Sequence, residues 1–357
     1  MNGMETIALQ ALKAAGPFTP ATIQRRELRE DDVDIRVSFC GVCHSDVHAL
    51  HTPAEAGGVF PLVPGHEFVG EVVQVGPSVT GFVPGDPVAV GNIVDSCGTC
   101  RMCQVSQENF CEEFPTLTYG GTDRLDGSLT NGAFSGRYVV REKFVYSRPT
   151  VLDPAAVAPL MCAGVTVWEP LRAAGVGPGT RLGVVGLGGL GHLAVRLGRA
   201  LGAEVTVFTT TPAKAADARA LGAQRVVVST DRHAMKDSHW SLDTILDTVA
   251  VDHDFGPYLR ALDLDGTLYS LGYLGTVTVR TLELLSGRKR LASGGSGGHR
   301  ATQEMLDFCG EHGIVADIEV LPAMEVDTAF ERLARNDVRY RFVLDFRSID
   351  DDLQPPH

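Results

Sequence analysis

Short apolar runs broken by turn residues make up the first part of the chain, and a regular alternation of apolar strands with helical stretches makes up the middle. Residues 34–39, 68–75, 87–90 and 136–140 read as strands. Turn signals such as Val75-Gly76-Pro77-Ser78 and Val83-Pro84-Gly85-Asp86-Pro87 lie near them. From about residue 6 to 148 this pattern predicts an irregular all-β region. From about 165 to 296 the order becomes strand, glycine turn, helix, strand. Candidate strands are 182–185, 204–208, 225–228, 244–247 and 267–271, with helical patterns at 190–201 and 213–221. Such alternation predicts a parallel sheet covered on both faces, hence an α/β fold. A helical piece at 301–311 and an apolar strand at 340–345 follow, and this tail is expected to return to the first region.

At 357 residues the chain is long enough for two domains. Lysine and arginine number 31 against 44 acidic residues, a net charge of −13. That field disfavours non-specific binding to nucleic acid or anionic lipid. The N-terminal residues lack a basic start followed by an apolar run, so no secretory leader is expected. The uncharged apolar stretch 182–195 is too short to span a bilayer. A cytoplasmic protein with neither membrane nor nucleic-acid partner is the expectation. Four of the eight cysteines fall within 97–111, which points to metal before disulfide in such a compartment.

Two motifs carry chemistry. Gly186-Leu187-Gly188-Gly189-Leu190-Gly191 fits G-x-G-x-x-G, preceded by an apolar strand and followed by a helical pattern. The first glycine permits a tight turn, the second lets backbone approach a pyrophosphate, and the third allows close helix packing. An acid at the end of the next strand would bond a ribose 2′-hydroxyl and repel a 2′-phosphate. Here Thr209, Thr210, Thr211 and Lys214 stand in that region, with no carboxylate before Asp217. Hydroxyls and an ammonium suit a phosphate, so NADP(H) is expected over NAD(H). The second motif is Cys97-x2-Cys100-x2-Cys103-x7-Cys111. Four thiolates so close can complete a tetrahedral shell around a structural zinc. A similar run begins some iron–sulfur motifs, but the last spacing here is seven and Glu112, not proline, follows. Cys43, His66 and Cys162 are scattered, and spacing alone does not join them. Two cysteines and one histidine with an open position nevertheless form a known catalytic zinc shell.

These segments together resemble the zinc-dependent medium-chain alcohol dehydrogenases, in the cinnamyl-alcohol-dehydrogenase-like branch. The resemblance covers nearly the whole chain. It rests on Gly41-Val42-Cys43-His44-Ser45-Asp46, Gly65-His66-Glu67-Phe68-Val69-Gly70, the four-cysteine lobe, residues 162–168, the turn 186–192 and Tyr340-Arg341-Phe342-Val343-Leu344-Asp345. It implies a GroES-like irregular β catalytic domain over 1–162 and 301–357, with a structural-zinc lobe at 91–115. It implies a Rossmann doubly wound cofactor domain over 163–300. Two zinc ions per chain follow, the catalytic one on Cys43, His66 and Cys162, with Glu67 able to approach or replace the open ligand. Ser45 would contact the substrate oxygen and pass a proton through the cofactor ribose to His48, while Asp46 orients the imidazole ligand. Thr166 would reach the nicotinamide side, Thr248 and Gly272 the cofactor cleft, and Leu50, Tyr119 and Gly295 the substrate pocket.

The implied activity is hydride transfer between NADP(H) and a primary alcohol or aldehyde. Alternatives are a C=C or C=N reductase of the same branch and a redox-silent cofactor-binding protein. Relatives often pair as homodimers through the cofactor-domain sheet edge, here placed at 276–280. Two departures affect the substrate: the glycine-rich 294–298 run, where relatives commonly carry a bulky apolar residue, and the 51–59 stretch.

Overall fold

The computed structural model describes residues 3–273 and 275–349. They divide into two compact units. One holds the described residues up to Cys162 and from Gly297 onward; the other is Ala163–Ser296. The return at Gly297 comes a few residues ahead of the expected 301.

In the second unit six parallel strands form one sheet, in the order Arg225–Val228, Glu204–Thr209, Arg181–Val185, Leu242–Asp247, Leu262–Ser270, Arg290–Ser293. By chain position this is 3-2-1-4-5-6, the dinucleotide-binding order, with its switch point between Arg181–Val185 and Leu242–Asp247. The central strands are continuous apolar runs because both faces are covered: Leu182, Val184, Val205, Val207, Ile245 and Leu246 are fully buried. The sixth strand was not foreseen. Its residues are mostly exposed, so no apolar run marks it. It, and not 276–280, forms the sheet edge; 276–280 contains no strand. Strand Leu262–Ser270 begins earlier than expected, since Asp263 and Asp265 interrupt its apolar pattern.

In the first unit Asp32–Val42 is the organising strand. It pairs antiparallel with Phe68–Val75, Arg137–Arg141 and Arg341–Asp345. The tail therefore does return to this sheet. The apolar faces of these strands bury Val33, Ile35, Val37, Phe68, Phe342 and Leu344 in one core with Phe134 and Phe330. Each such side chain contributes about 1.5–3 kcal/mol on burial. Register brings three strand ends to one edge of the sheet. Val42 pairs with Phe342 and Cys40 with Phe68, so Cys43, His66, Glu67 and Arg341 all emerge together.

A helix, His44–His51, interrupts the region read as all-β. It lacks a long apolar stripe, which hid it from the pattern. Asp46 supports its start by accepting from the Cys43 backbone N–H at 2.9 Å. Among the described residues no helix is long and apolar enough to cross a membrane.

Candidate active site

Cys43, His66 and Cys162 come together although up to 119 residues separate them. Cys43 follows the organising strand, His66 precedes the Phe68–Val75 strand, and Cys162 follows the turn Ala158–Met161. Their donor atoms lie within 4.8 Å of one another. Cys43 and Cys162 Sγ are 3.8 Å apart, and His66 Nε2 is 3.3 Å from Cys162 Sγ. A tetrahedral ion with 2.3 Å bonds to sulfur requires S···S edges of about 3.8 Å. The donor set and spacing thus fit zinc. His66 Nδ1 faces Asp46 Oδ1 at 3.0 Å, which leaves Nε2 aimed at the sulfurs. Asp46 is wholly buried and also accepts from Gly65 N at 3.2 Å. One carboxylate therefore caps the helix, anchors the turn before His66 and orients the imidazole. Cys162 is half-buried and Ser45 exposed, so the cluster is open on one side.

Charge at the cluster is uneven. The hydrogen bond from Cys162 holds Cys43 well below the usual thiol range, against the effect of burial, and Arg341 and His66 lower it further. Burial works against a charged His66, but Asp46 and Cys43 raise it well above its ordinary value. Glu67 stands apart from the three donors. It forms a buried ion pair with Arg341, 274 residues away. Burial alone would lower Arg341, yet the pull of Glu67, Cys43 and Cys162 raises it. Nothing in the spacing of the sequence linked Arg341 to Glu67. Gly41 is required here, since a Cβ there would overlap the Glu67 side chain, its Cγ lying 2.9 Å away.

The second cluster is local. Sγ atoms of Cys97 and Cys100 lie 3.8 and 3.5 Å from that of Cys103, and Cys111 completes the group. Backbone N–H groups of Cys100 and Thr99 bring Cys97 down to about 6. Burial pushes Cys103 up to about 12. Four sulfurs with N–H donors match a closed zinc shell.

In the second unit Gly186 takes φ +88°, which glycine alone adopts without strain. A Cβ on Gly188 would meet nothing within 4 Å, leaving backbone open to a ligand, while one on Gly191 would press on Thr248 Oγ1 at 3.2 Å. The helix Gly191–Ala200 starts there. Thr210, Thr211 and Lys214 are exposed, and Lys214 Nζ donates to Leu187 O at 3.1 Å. Thr209 departs from the expectation. It is 5% exposed, and its hydroxyl accepts from Thr211 N inside the turn.

The alcohol dehydrogenase GroES-like family matches residues 29–150, and the zinc-binding dehydrogenase family matches residues 189–311. An aldehyde reductase, YahK, of Escherichia coli (strain K12) is 45% identical over 351 residues, covering 98% of this chain and 100% of that one. A cinnamyl alcohol dehydrogenase structure from Sorghum bicolor superposes with a TM-score of 0.92 at 43% identity, covering 96% and 98% of the two chains. The chain belongs to the zinc-binding alcohol dehydrogenase family. It lies in the cinnamyl-alcohol-dehydrogenase-like branch and is an oxidoreductase with a GroES-like and a Rossmann domain. A cinnamyl alcohol dehydrogenase from Helicobacter pylori complexed with NADP(H) is 32% identical, with a TM-score of 0.89, covering 97% and 99% of the chains.

The remaining expected residues of this dehydrogenase fall as follows. Ser45 Oγ lies 3.6 Å from Cys43 Sγ, and His48 is exposed one turn along the same helix. Asp46 contacts His66 Nδ1 and the Cys43 backbone N–H. Tyr119 lies beside His66, with ring centroids 5.8 Å apart and the planes tilted by 53°. Leu50 is 5% exposed and sits in the apolar core, so packing is the role the structure gives it. Thr166 Oγ1 accepts from Ser296 N at 3.3 Å, Gly272 packs on Thr248, and Gly295 borders open space.

Proposed function

We propose that this chain is an NADP(H)-dependent reductase of aldehydes, working reversibly on primary alcohols, with one catalytic and one structural zinc. The observation that carries the reading is the open Cys43–His66–Cys162 cluster with Ser45 at its rim. Bound zinc would polarise the carbonyl oxygen, and NADPH would supply a hydride to the carbonyl carbon. Cys43, His66 and Cys162 would hold that zinc. Cys97, Cys100, Cys103 and Cys111 would hold the other. Asp46 keeps the imidazole in the tautomer that presents Nε2. Ser45 Oγ would give its proton to the substrate oxygen, and His48, exposed on the same helix, would restore it.

Gly186–Gly191 and the helix behind them receive the pyrophosphate. Thr210, Thr211 and Lys214 receive the 2′-phosphate, an assignment supported by the absence of a carboxylate before Asp217. The glycine-rich 294–298 run, without a bulky apolar side chain, favours a bulky aldehyde. Ser45 and His48 favour a carbonyl reaction over reduction of C=C or C=N, and the full donor set argues against a redox-silent protein. All cysteines are free thiols, which suits the reducing cytoplasm. A homodimer would use the exposed edge strand Arg290–Ser293.

Zinc per chain and an NADPH-oxidation screen over aromatic, terpenoid and aliphatic aldehydes test the reading. Two zinc equivalents, aldehyde turnover and preference for NADPH are expected. One equivalent, or equal kinetics with NADH, would contradict it. Lys214→Ala should weaken NADPH far more than NADH.

A further inference from the structure

Beyond the glycine turn, the loop after strand Leu242–Asp247 holds the cofactor unit in shape. Thr248 donates from its Oγ1 to Val185 O at 2.8 Å, at the start of that turn. The Asp247 carbonyl accepts from Leu271 N and Gly272 N. Gly272 is so close that a Cβ there would lie 2.5 Å from Thr248 O and 2.6 Å from Val249 O. The loop is thus wedged between two glycine-lined walls.

Its far end is closed by His253. Nε2 lies 2.7 Å from Asp247 Oδ2, and Nδ1 lies 2.9 Å from the Val251 carbonyl oxygen. Asp247 is 1% exposed, and its other oxygen accepts from Val249 N at 3.0 Å. A carboxylate and a carbonyl both accept, so a ring that satisfies both must donate from both nitrogens. We propose that His253 is a doubly protonated clip on loop 248–253 and a positioning residue for the dinucleotide. The proposal rests on the reading that this unit binds NADP(H).

The groups facing His253 agree. Asp247 and Asp252 are the charges acting on it, and the hydrogen bond to Asp247 is the main cause that holds it above its ordinary value. From the next segment Phe255 and Tyr258 pack on the ring, at 4.8 and 5.9 Å between centroids. Tyr258 is itself kept above its usual range by burial and stays neutral. A raised histidine stabilises its folded state fully below its unfolded value, and that contribution fades as pH climbs through the folded value.

Two measurements on the whole protein test this. In the cofactor-free wild type, nitrogen NMR of the His253 ring, assigned with His253→Gln, should show both nitrogens protonated at pH 6.5 and titration above that. A neutral ring with a single N–H at that pH would overturn the clip. NADPH affinity is then compared between wild type and His253→Gln across pH, with thermal unfolding confirming that both are folded. The variant should bind about tenfold more weakly at low pH, the scale of one hydrogen bond to a charged group. The ratio should shrink toward one as the wild-type ring loses its proton. A ratio of one throughout, or one independent of pH, would overturn the positioning role. No NADPH binding at any pH, with a doubly protonated ring, would overturn the cofactor reading and the positioning role while upholding the bridge.

Discussion

The two thiolate clusters of the first unit differ in how the chain gathers them. Cys97, Cys100, Cys103 and Cys111 lie within one short lobe, and their supporting donors are neighbouring backbone N–H groups. Cys43, His66 and Cys162 depend on the register of a whole sheet and on a buried carboxylate. The local set offers four sulfurs and no place for a substrate. The dispersed set offers three donors with an open side and costs the fold a buried Asp46 and a buried Glu67–Arg341 pair. A group that must stay reactive needs a rigid surround to hold an incomplete shell in shape. A group that only braces a loop can supply its own surround.

The largest effect should come from breaking the dispersed set. Cys162→Ser should abolish turnover by roughly 10³-fold or more, the scale of losing several kcal/mol of carbonyl polarisation. Elemental analysis should show one zinc per chain instead of two, with thermal unfolding little changed. Retained turnover would separate the cluster from catalysis. Ser45→Ala comes next and should lower turnover by roughly 10²-fold, the scale of a lost proton path, with both zinc ions kept. Near wild-type kcat would refute the role of that hydroxyl. Asp46→Asn should weaken zinc at this site alone, by about 10–100-fold, as measured by competition with a chelator. Equal loss from both sites would show that Asp46 supports the fold more than the imidazole.

The same contrast explains what the sequence showed. The four-cysteine run was legible because its donors are adjacent and their spacing is the signal. The G-x-G-x-x-G turn was legible for the same reason, since strand, turn and helix follow one another. The dispersed triad was not legible from spacing and entered only through resemblance to a family. The Glu67–Arg341 pair escaped because 274 residues intervene and no spacing pattern joins the two charges. Two expectations shifted for local reasons. Thr209 turned inward because its hydroxyl caps the turn that Thr210 and Thr211 expose, and Leu50 joined the core because it lies on the buried side of a short helix with Asp46. The edge strand Arg290–Ser293 was missed because exposed residues leave no apolar trace.

The smallest effect on chemistry should come from the local set, and it is the sharpest test of the contrast. Cys100→Ser removes one donor from a lobe whose shell has no open position. The remaining three sulfurs leave the shell incomplete, and Cys97 is itself only half-buried, so the ion should be lost. Zinc should fall to one per chain, as in Cys162→Ser, yet turnover per folded molecule should stay within about twofold, because no residue of the lobe belongs to the reacting cluster. The loss should appear instead in stability, as a fall in Tm of roughly 5–10 °C, since metal binding to such a lobe is part of its folding free energy. Two variants with equal zinc content would then have opposite defects, one inactive and stable, the other active and labile. If Cys100→Ser were as inactive as Cys162→Ser while still folded at the assay temperature, the two clusters would be coupled, and the lobe could no longer be read as a brace alone.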